Sequence, residues 1–231
     1  MDPLNIATSY AASAVRLGFG MNASPPAKYP KKPLELYEFE ACPFCRKVRE
    51  ALTDLDLETK IFPCPSGGEV FRPEVTKMGG RSSFPYLIDP NSGEALYESD
   101  DIIRYLYGTY GKRSPHPLLR MGPITLLTSQ LASLARPLSG RHARKSRRPQ
   151  KLLELYGFEA SPYCRIARET LCELEIPYLL HNVGKGSPRR DAFVERSGKM
   201  MVPYLVDPNT GTEMFESAAI RSYLLETYAA S

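Results

Sequence analysis

The sequence predicts an α/β protein of two tandem units, each a central sheet with helices on both faces, in the order βαβ, a connecting helix, then ββα. Two repeats carry that reading. LELYEFEACPFCRKVRE (Leu34–Glu50) returns as LELYGFEASPYCRIARE (Leu153–Glu169), identical at twelve of seventeen positions. PYLIDPNSG (Pro85–Gly93) returns as PYLVDPNTG (Pro203–Gly211). The offset is 119 residues in the first block and 118 in the second, so a single one-residue gap separates them. Two units, each over a hundred residues long, are two domains rather than a solenoid. The first occupies residues 1–113 with its core at 34–111, the second 114–231 with its core at 152–229.

Each unit opens on a helix. DPLNIATSYAASAVRLG, from Asp2, and GPITLLTSQLASLARPL, from Gly122, share Pro, Thr-Ser, Ala-Ser and Arg in step. A removable targeting peptide would not recur in mid-chain, so both copies read as structural. Pro3 and Pro123 suit a first helical turn. Ile6, Tyr10, Ala14 and Leu17 make an apolar stripe, as do Leu127, Leu131, Leu134 and Leu138. The Pro-rich linker NASPPAKYPKKP cannot be helical, and the basic linker GRHARKSRRPQK reads as a solvated tether.

LELYEF is then a short strand, and Pro43 opens a helix. Its stripe is Val48, Leu52 and Leu55, matched by Ala167, Leu171 and Leu174. A strand follows at Glu58–Phe62, matched near Tyr178–Leu180, and a short helix near Pro73–Met78. PYLID is a strand, DPNSG a turn with the expected residues, and EALYE the returning strand. Ser99 caps a last helix with the stripe Ile102, Ile103, Leu106 and Tyr110. Ser217, Ile220, Leu224 and Tyr228 repeat it.

Composition narrows the function. No apolar run reaches the roughly 18–20 residues that span a bilayer, so no transmembrane segment is expected and the chain reads as soluble. The formal charge is +4. Six positive residues (Arg141, Arg144, Lys145, Arg147, Arg148, Lys151) fall in one linker, and without them the remainder carries −2. That argues against nucleic acid as a partner. Five cysteines, an odd number in a chain of this size, do not make a secreted disulfide scaffold.

The chemistry concentrates at C-P-F-C. Cys42 would precede Pro43 at the first turn of a helix, where unpaired amides and the helix dipole stabilise a thiolate. Arg46 and Lys47 add positive charge nearby. Such a thiolate attacks a disulfide, and Cys45 resolves the mixed disulfide. Two buried structural thiols are the bland alternative.

A strand running into C-P-F-C at a helix start, then P-Y-L before a hairpin, then E-S at the last helix, resembles the thioredoxin superfamily. More narrowly, it is similar to glutaredoxins and to the N-terminal, glutathione-binding domain of glutathione transferases. The resemblance covers Leu34–Gly111 and Leu152–Ala229. The tandem arrangement resembles a group of plant and algal plastid proteins, which implies the chloroplast stroma. The family implies that Cys42 is the nucleophile and Cys45 the resolving thiol. Pro85 and Pro203 match its cis-proline, and Phe84 or Val202 would offer backbone to the cysteinyl part of glutathione. Glu98-Ser99 and Glu216-Ser217 match the pair that holds the γ-glutamyl end. A carboxylate ligand also suits a helix N-terminus on physical grounds alone.

Two departures stand out. Phe39 and Glu40 occupy the approach to Cys42 where glutaredoxins commonly place a lysine, and a carboxylate so close would tend to raise the thiol pKa. The large all-helical domain of transferases has no counterpart, so conjugating activity is not expected. In the second unit Ser161 replaces the nucleophile, and Cys164 alone holds the resolving position. Ser161 either hydrogen-bonds the thiol of bound glutathione or belongs to a purely structural partner. Cys64, aligned with Asn182, is either a third redox thiol or a solvent-exposed bystander, and Cys172 reads as core. The expected function is a glutathione-linked thiol–disulfide oxidoreductase acting on protein disulfides through Cys42 and Cys45. A glutathione- or protein-binding adaptor without turnover is the alternative, and a cluster of iron and sulfur held by Cys42 and glutathione a weaker third.

Overall fold

The structure, a computed structural model, describes residues 7–10, 20–116, 119 and 139–230. The first unit runs β1 (Leu34–Glu38), α1 (Pro43–Asp54), β2 (Thr59–Pro63), α2 (Phe71–Gly79), β3 (Tyr86–Ile88), β4 (Ala95–Tyr97) and α3 (Ser99–Leu106). The last helix widens into a π-helical turn over Tyr107–Gly111. The second unit repeats the order as β5 (Leu153–Gly157), α4 (Pro162–Glu173), β6 (Tyr178–Asn182), α5 (Arg189–Ser197), β7 (Tyr204–Asp207), β8 (Thr212–Phe215) and α6 (Ser217–Tyr228). Residues 7–10 are helical, as expected. The rest of that helix and the matching helix from Gly122 lie outside the described residues.

The eight strands form one continuous sheet, ordered β4-β3-β1-β2-β6-β5-β7-β8. Within each unit β1–β2 and β5–β6 are parallel, and both hairpins are antiparallel. The units meet where β2 and β6 pair antiparallel, Thr59 opposite Leu180 and Ile61 opposite Tyr178. Each unit thereby covers the strand edge that the other would leave open.

Strand alternation sends side chains to two faces. Leu34, Leu36 and Leu87 meet α1 and α3, while Leu153, Leu155 and Leu205 meet α4 and α6, in one core that runs through both units. On the opposite face Phe71 and Val75 of α2 pack with Tyr37 and Tyr86 of the sheet, and Phe193 of α5 with Tyr204 and Val206. The DPN turns are pinned from below. Asp89 is buried and accepts from Tyr105 Oη at 2.6 Å, from Tyr110 Oη, and from Asn91 N at 2.8 Å. Asp207, Tyr223, Tyr228 and Asn209 repeat the arrangement.

The linkers are exchanged between units. The one before unit one lies on unit two: Ala23 N donates to Lys185 O at 2.7 Å, and Ala160 N to Gly20 O at 3.1 Å. The one before unit two lies on unit one, where Ser66 N donates to Arg141 O at 2.7 Å and Ala143 N to Ser66 O at 2.9 Å. Arg144 pairs with Glu173 at 2.9 Å, and Arg147 N donates to Tyr228 O at 2.7 Å. The basic stretch is therefore a strap along the folded units, not the free tether its composition suggested. Gly20 and Gly140 occupy equivalent places with φ of 87° and 67°. A Cβ on Gly140 would meet Glu40 Cβ at 2.8 Å, so only glycine fits between linker and helix.

Between α1 and α4 lies a buried charge cluster. Arg49 donates from Nε to Glu159 at 2.9 Å and from Nη1 to Glu38. Arg168 donates to Glu40 from Nε and Nη2 at 3.0 and 3.1 Å, and its Nη2 pairs with Glu159 at 2.8 Å. Burial pushes Glu38 up to about 7, with Glu40 and Glu159 adding like charge. Burial acts the same way on Glu159, but the arginines, Arg168 first, outweigh it and hold that carboxyl down at about 2. Glu40 is also held low by Arg168 and Arg49. The signs are opposite. The Glu159 and Glu40 contributions are complete above the ordinary carboxyl value of 4.5 and are lost as pH falls below it, that of Glu159 toward about 2. The Glu38 contribution is complete below 4.5 and is lost as pH rises through about 7. Urea midpoints measured across pH are therefore expected to peak between about 5 and 6 and to decline on both sides.

Candidate active site

Register gathers the predicted residues. Tyr37 on β1 lies opposite Tyr86 on β3, which lies opposite Tyr97 on β4. The chain just past Tyr37 holds Cys42, that just before Tyr86 holds Pro85, and that just past Tyr97 holds Glu98-Ser99. Tyr156, Tyr204 and Phe215 do the same for Ser161, Pro203 and Glu216-Ser217. All eleven predicted residues thus fall at two equivalent sheet ends.

Cys42 is the N-cap of α1 and accepts from Cys45 N at 3.3 Å. Burial works against its thiolate, but hydrogen bonds from the Cys45 thiol and from the Cys45 and Phe44 N–H groups prevail, and its pKa is lowered. Burial and the neighbouring Cys42 sulfur push Cys45 far up. One sulfur is thus disposed to ionise and the other to keep its proton. Ser161 caps α4 in the same way, accepting from Cys164 N at 3.2 Å. Burial raises Cys164.

Several charges differ from the expectation. Glu40 faces the arginine cluster, and Glu38 is the carboxylate whose charge bears most on Cys42. Lys47 pairs with Asp100 at the start of α3, and Arg46 is buried with its Nε unbonded among the described residues. Thiolate stabilisation comes from local hydrogen bonds instead. Cys64 is fully buried and its burial pushes the thiol far up, so it is no exposed bystander. Cys172 is buried as expected, at the unit junction, where it accepts from Glu40 N at 3.4 Å and donates to Gly140 O at 3.3 Å.

The Phe84–Pro85 and Val202–Pro203 bonds are both cis. Glu98 and Glu216 have φ of 62° and 70°, a left-handed backbone that non-glycine residues rarely adopt, retained at the same place twice. Ser99 and Ser217 are the first helical residues, not the caps, and their side chains are buried. The Glu98 carboxylate is exposed and pairs with Arg81 at 3.0 Å.

Arg72 went unnoticed in the sequence. Its guanidinium lies 4.7 Å from the Phe84 ring centre and 5.7 Å from that of Phe39, and its Nε donates to Cys64 O and Pro65 O. It braces the residue before the cis-proline. Nothing near Arg72 in the sequence announces this, because α2 delivers it from outside the motif.

Among the described residues, no group of three or more His, Cys, Asp or Glu side chains is placed to hold a metal ion, and no helix is long and apolar enough to cross a membrane.

A parallel strand–helix–strand followed by an antiparallel hairpin and a helix, with a cis-proline at the same sheet end as a helix-capping cysteine or serine, is the thioredoxin fold. Residues 36–114 and 155–231 each match the model of the glutathione S-transferase N-terminal domain, and the chain belongs to that family. Among solved structures, a Bombyx mori glutathione transferase is 30% identical, over 39% of this chain and 44% of that one, with a TM-score of 0.34. A delta-class glutathione transferase of Nilaparvata lugens is 32% identical, over 35% and 38%, with a TM-score of 0.30. The chain thus spans less than half the length of these proteins. No curated protein matches it.

Proposed function

We propose that the first unit is a glutathione-linked thiol–disulfide oxidoreductase and that the second is its redox-inactive partner. The observation that carries this is Cys42 at the N-cap of α1, its sulfur accepting a backbone N–H and its pKa lowered. The Cys42 thiolate attacks one sulfur of a protein disulfide. The S–S bond breaks, and its electron pair leaves on the other sulfur, which takes up a proton. Cys45 then loses its proton and attacks Cys42, closing a 42–45 disulfide and releasing the second substrate thiol. Two glutathione thiols reduce that disulfide in sequence and leave as oxidised glutathione. The backbone of Phe84 beside Pro85 would hold the cysteinyl part of glutathione, and the α3 start at Glu98-Ser99 its γ-glutamyl carboxylate. The plastid stroma belongs to the same proposal, on the resemblance of the tandem arrangement.

The adaptor reading is favoured by one observation: Cys42 is only 3% exposed. Alkylation separates the two. Measured against pH in Cys45→Ser, with and without glutathione disulfide, Cys42 is expected to react with a midpoint below the roughly 8.5 of a free thiol. It is also expected to form a glutathione mixed disulfide. A slow thiol with an unshifted midpoint, untouched by glutathione disulfide, would leave a binding scaffold.

A further inference from the structure

In each unit, at the strand ends opposite Cys42 or Ser161, a cleft opens between linker and hairpin turn. Its volume is about 430 Å³ in unit one and 350 Å³ in unit two, within the range of small-molecule sites. Both clefts have fixed walls. Lys32 N donates to Asn91 Oδ1 and Asn91 Nδ2 donates back to Lys32 O, each at 2.9 Å. Lys151 and Asn209 make the same clamp at 2.8 and 3.0 Å.

The linings differ in charge. Lys28, Lys31 and Lys32 line the first cleft, no carboxylate does, and none of the three has an ion-pair partner among the described residues. The nearby Asp89 carboxylate is buried and taken up by Tyr105, Tyr110 and Asn91. Pro30, Pro90 and Tyr110 supply an apolar wall. In the second cleft Gln150 stands where Lys31 stands in the first, and Arg148 is drawn over the Phe71 ring at 5.9 Å. Three unpaired ammonium groups around one pinned concavity are suited to phosphate oxygens, and the volume leaves room for an organic body.

We propose that the first cleft binds a small phosphorylated molecule carrying at least two negative charges. This stands apart from the disulfide chemistry and survives its failure.

The test is titration of the full chain with inorganic pyrophosphate at fixed ionic strength, following the amide resonances of Asn91, Ser92 and Gly93. Saturable shifts at these residues are expected. Replacing Lys28, Lys31 and Lys32 together by Gln is expected to weaken binding at least tenfold. Lys151→Gln is expected to leave the first-cleft shifts unchanged. All four lysines are exposed, so the variants are expected to keep the parent's melting temperature. Shifts that do not saturate, or that survive the triple replacement, overturn the proposal. So does a decaglutamate peptide that binds more tightly than pyrophosphate, because the surface would then dock acidic chains instead.

Discussion

Arg49→Met is expected to destabilise the protein by about 3–5 kcal/mol at neutral pH, the usual cost of removing one partner from a buried charge group. The side chain is 1% exposed and meets carboxylates of both units, Glu38 and Glu40 on one side and Glu159 on the other. Methionine fills much of the volume, so the loss is mainly electrostatic: three buried carboxylates are left with Arg168 as their principal remaining cation. Without Arg49 their folded pKa values rise. A raised carboxyl contributes stability at low pH and loses it as pH rises, so the penalty is expected to shrink between pH 7 and pH 5. Urea unfolding at both values tests this. An equal penalty at the two would mean that the guanidinium acts through packing alone. Because Arg49 bridges the units, the variant is also expected to weaken their docking, visible as faster amide exchange at the β2–β6 junction.

The second large effect is expected from exchanging the two capping residues. Cys42→Ser should reduce disulfide exchange to the uncatalysed level, since a hydroxyl is not a redox nucleophile at neutral pH. Ser161→Cys places a thiol at an equivalent helix start, three residues before Cys164, with the cis Val202–Pro203 bond already present. On oxidation the new thiol is expected to pair with Cys164, read as two fewer alkylatable sulfurs until reductant is added. Its cost to the fold should be about 0.5–1 kcal/mol from the weaker cap. A new thiol that stays free under oxidant would mean that the second unit lost more than its nucleophile.

Much of this protein was legible in its sequence. The duplication, the strand and helix order, the hairpin turns and both capping positions follow from residues close together in the chain. Hydrophobic period, Pro at a helix start and Asp-Pro-Asn turn chemistry act locally. The grouping of Cys42 with Pro85 and Glu98-Ser99 was inferred from family resemblance, and strand register places them at one sheet end. What the sequence did not yield lies between the units. Glu40 read as a burden on Cys42, but it answers Arg168, 128 residues away. Glu38, unremarkable in LELYEF, is the carboxylate that bears on the thiols. The basic linker read as a tether because composition reports solubility, whereas its backbone bonds to Ser66 depend on where the other unit lies, and its bond to Tyr228 on the fold of its own unit. Local chemistry by itself determined two βαβ-α-ββα units with unequal caps, and the resemblance of their motifs made them thioredoxin-like. Only the tertiary structure decided that they share one sheet, because the β2 and β6 edges pair with each other and the arginines of α1 and α4 each reach a carboxylate of the other unit, Arg49 to Glu159 and Arg168 to Glu40.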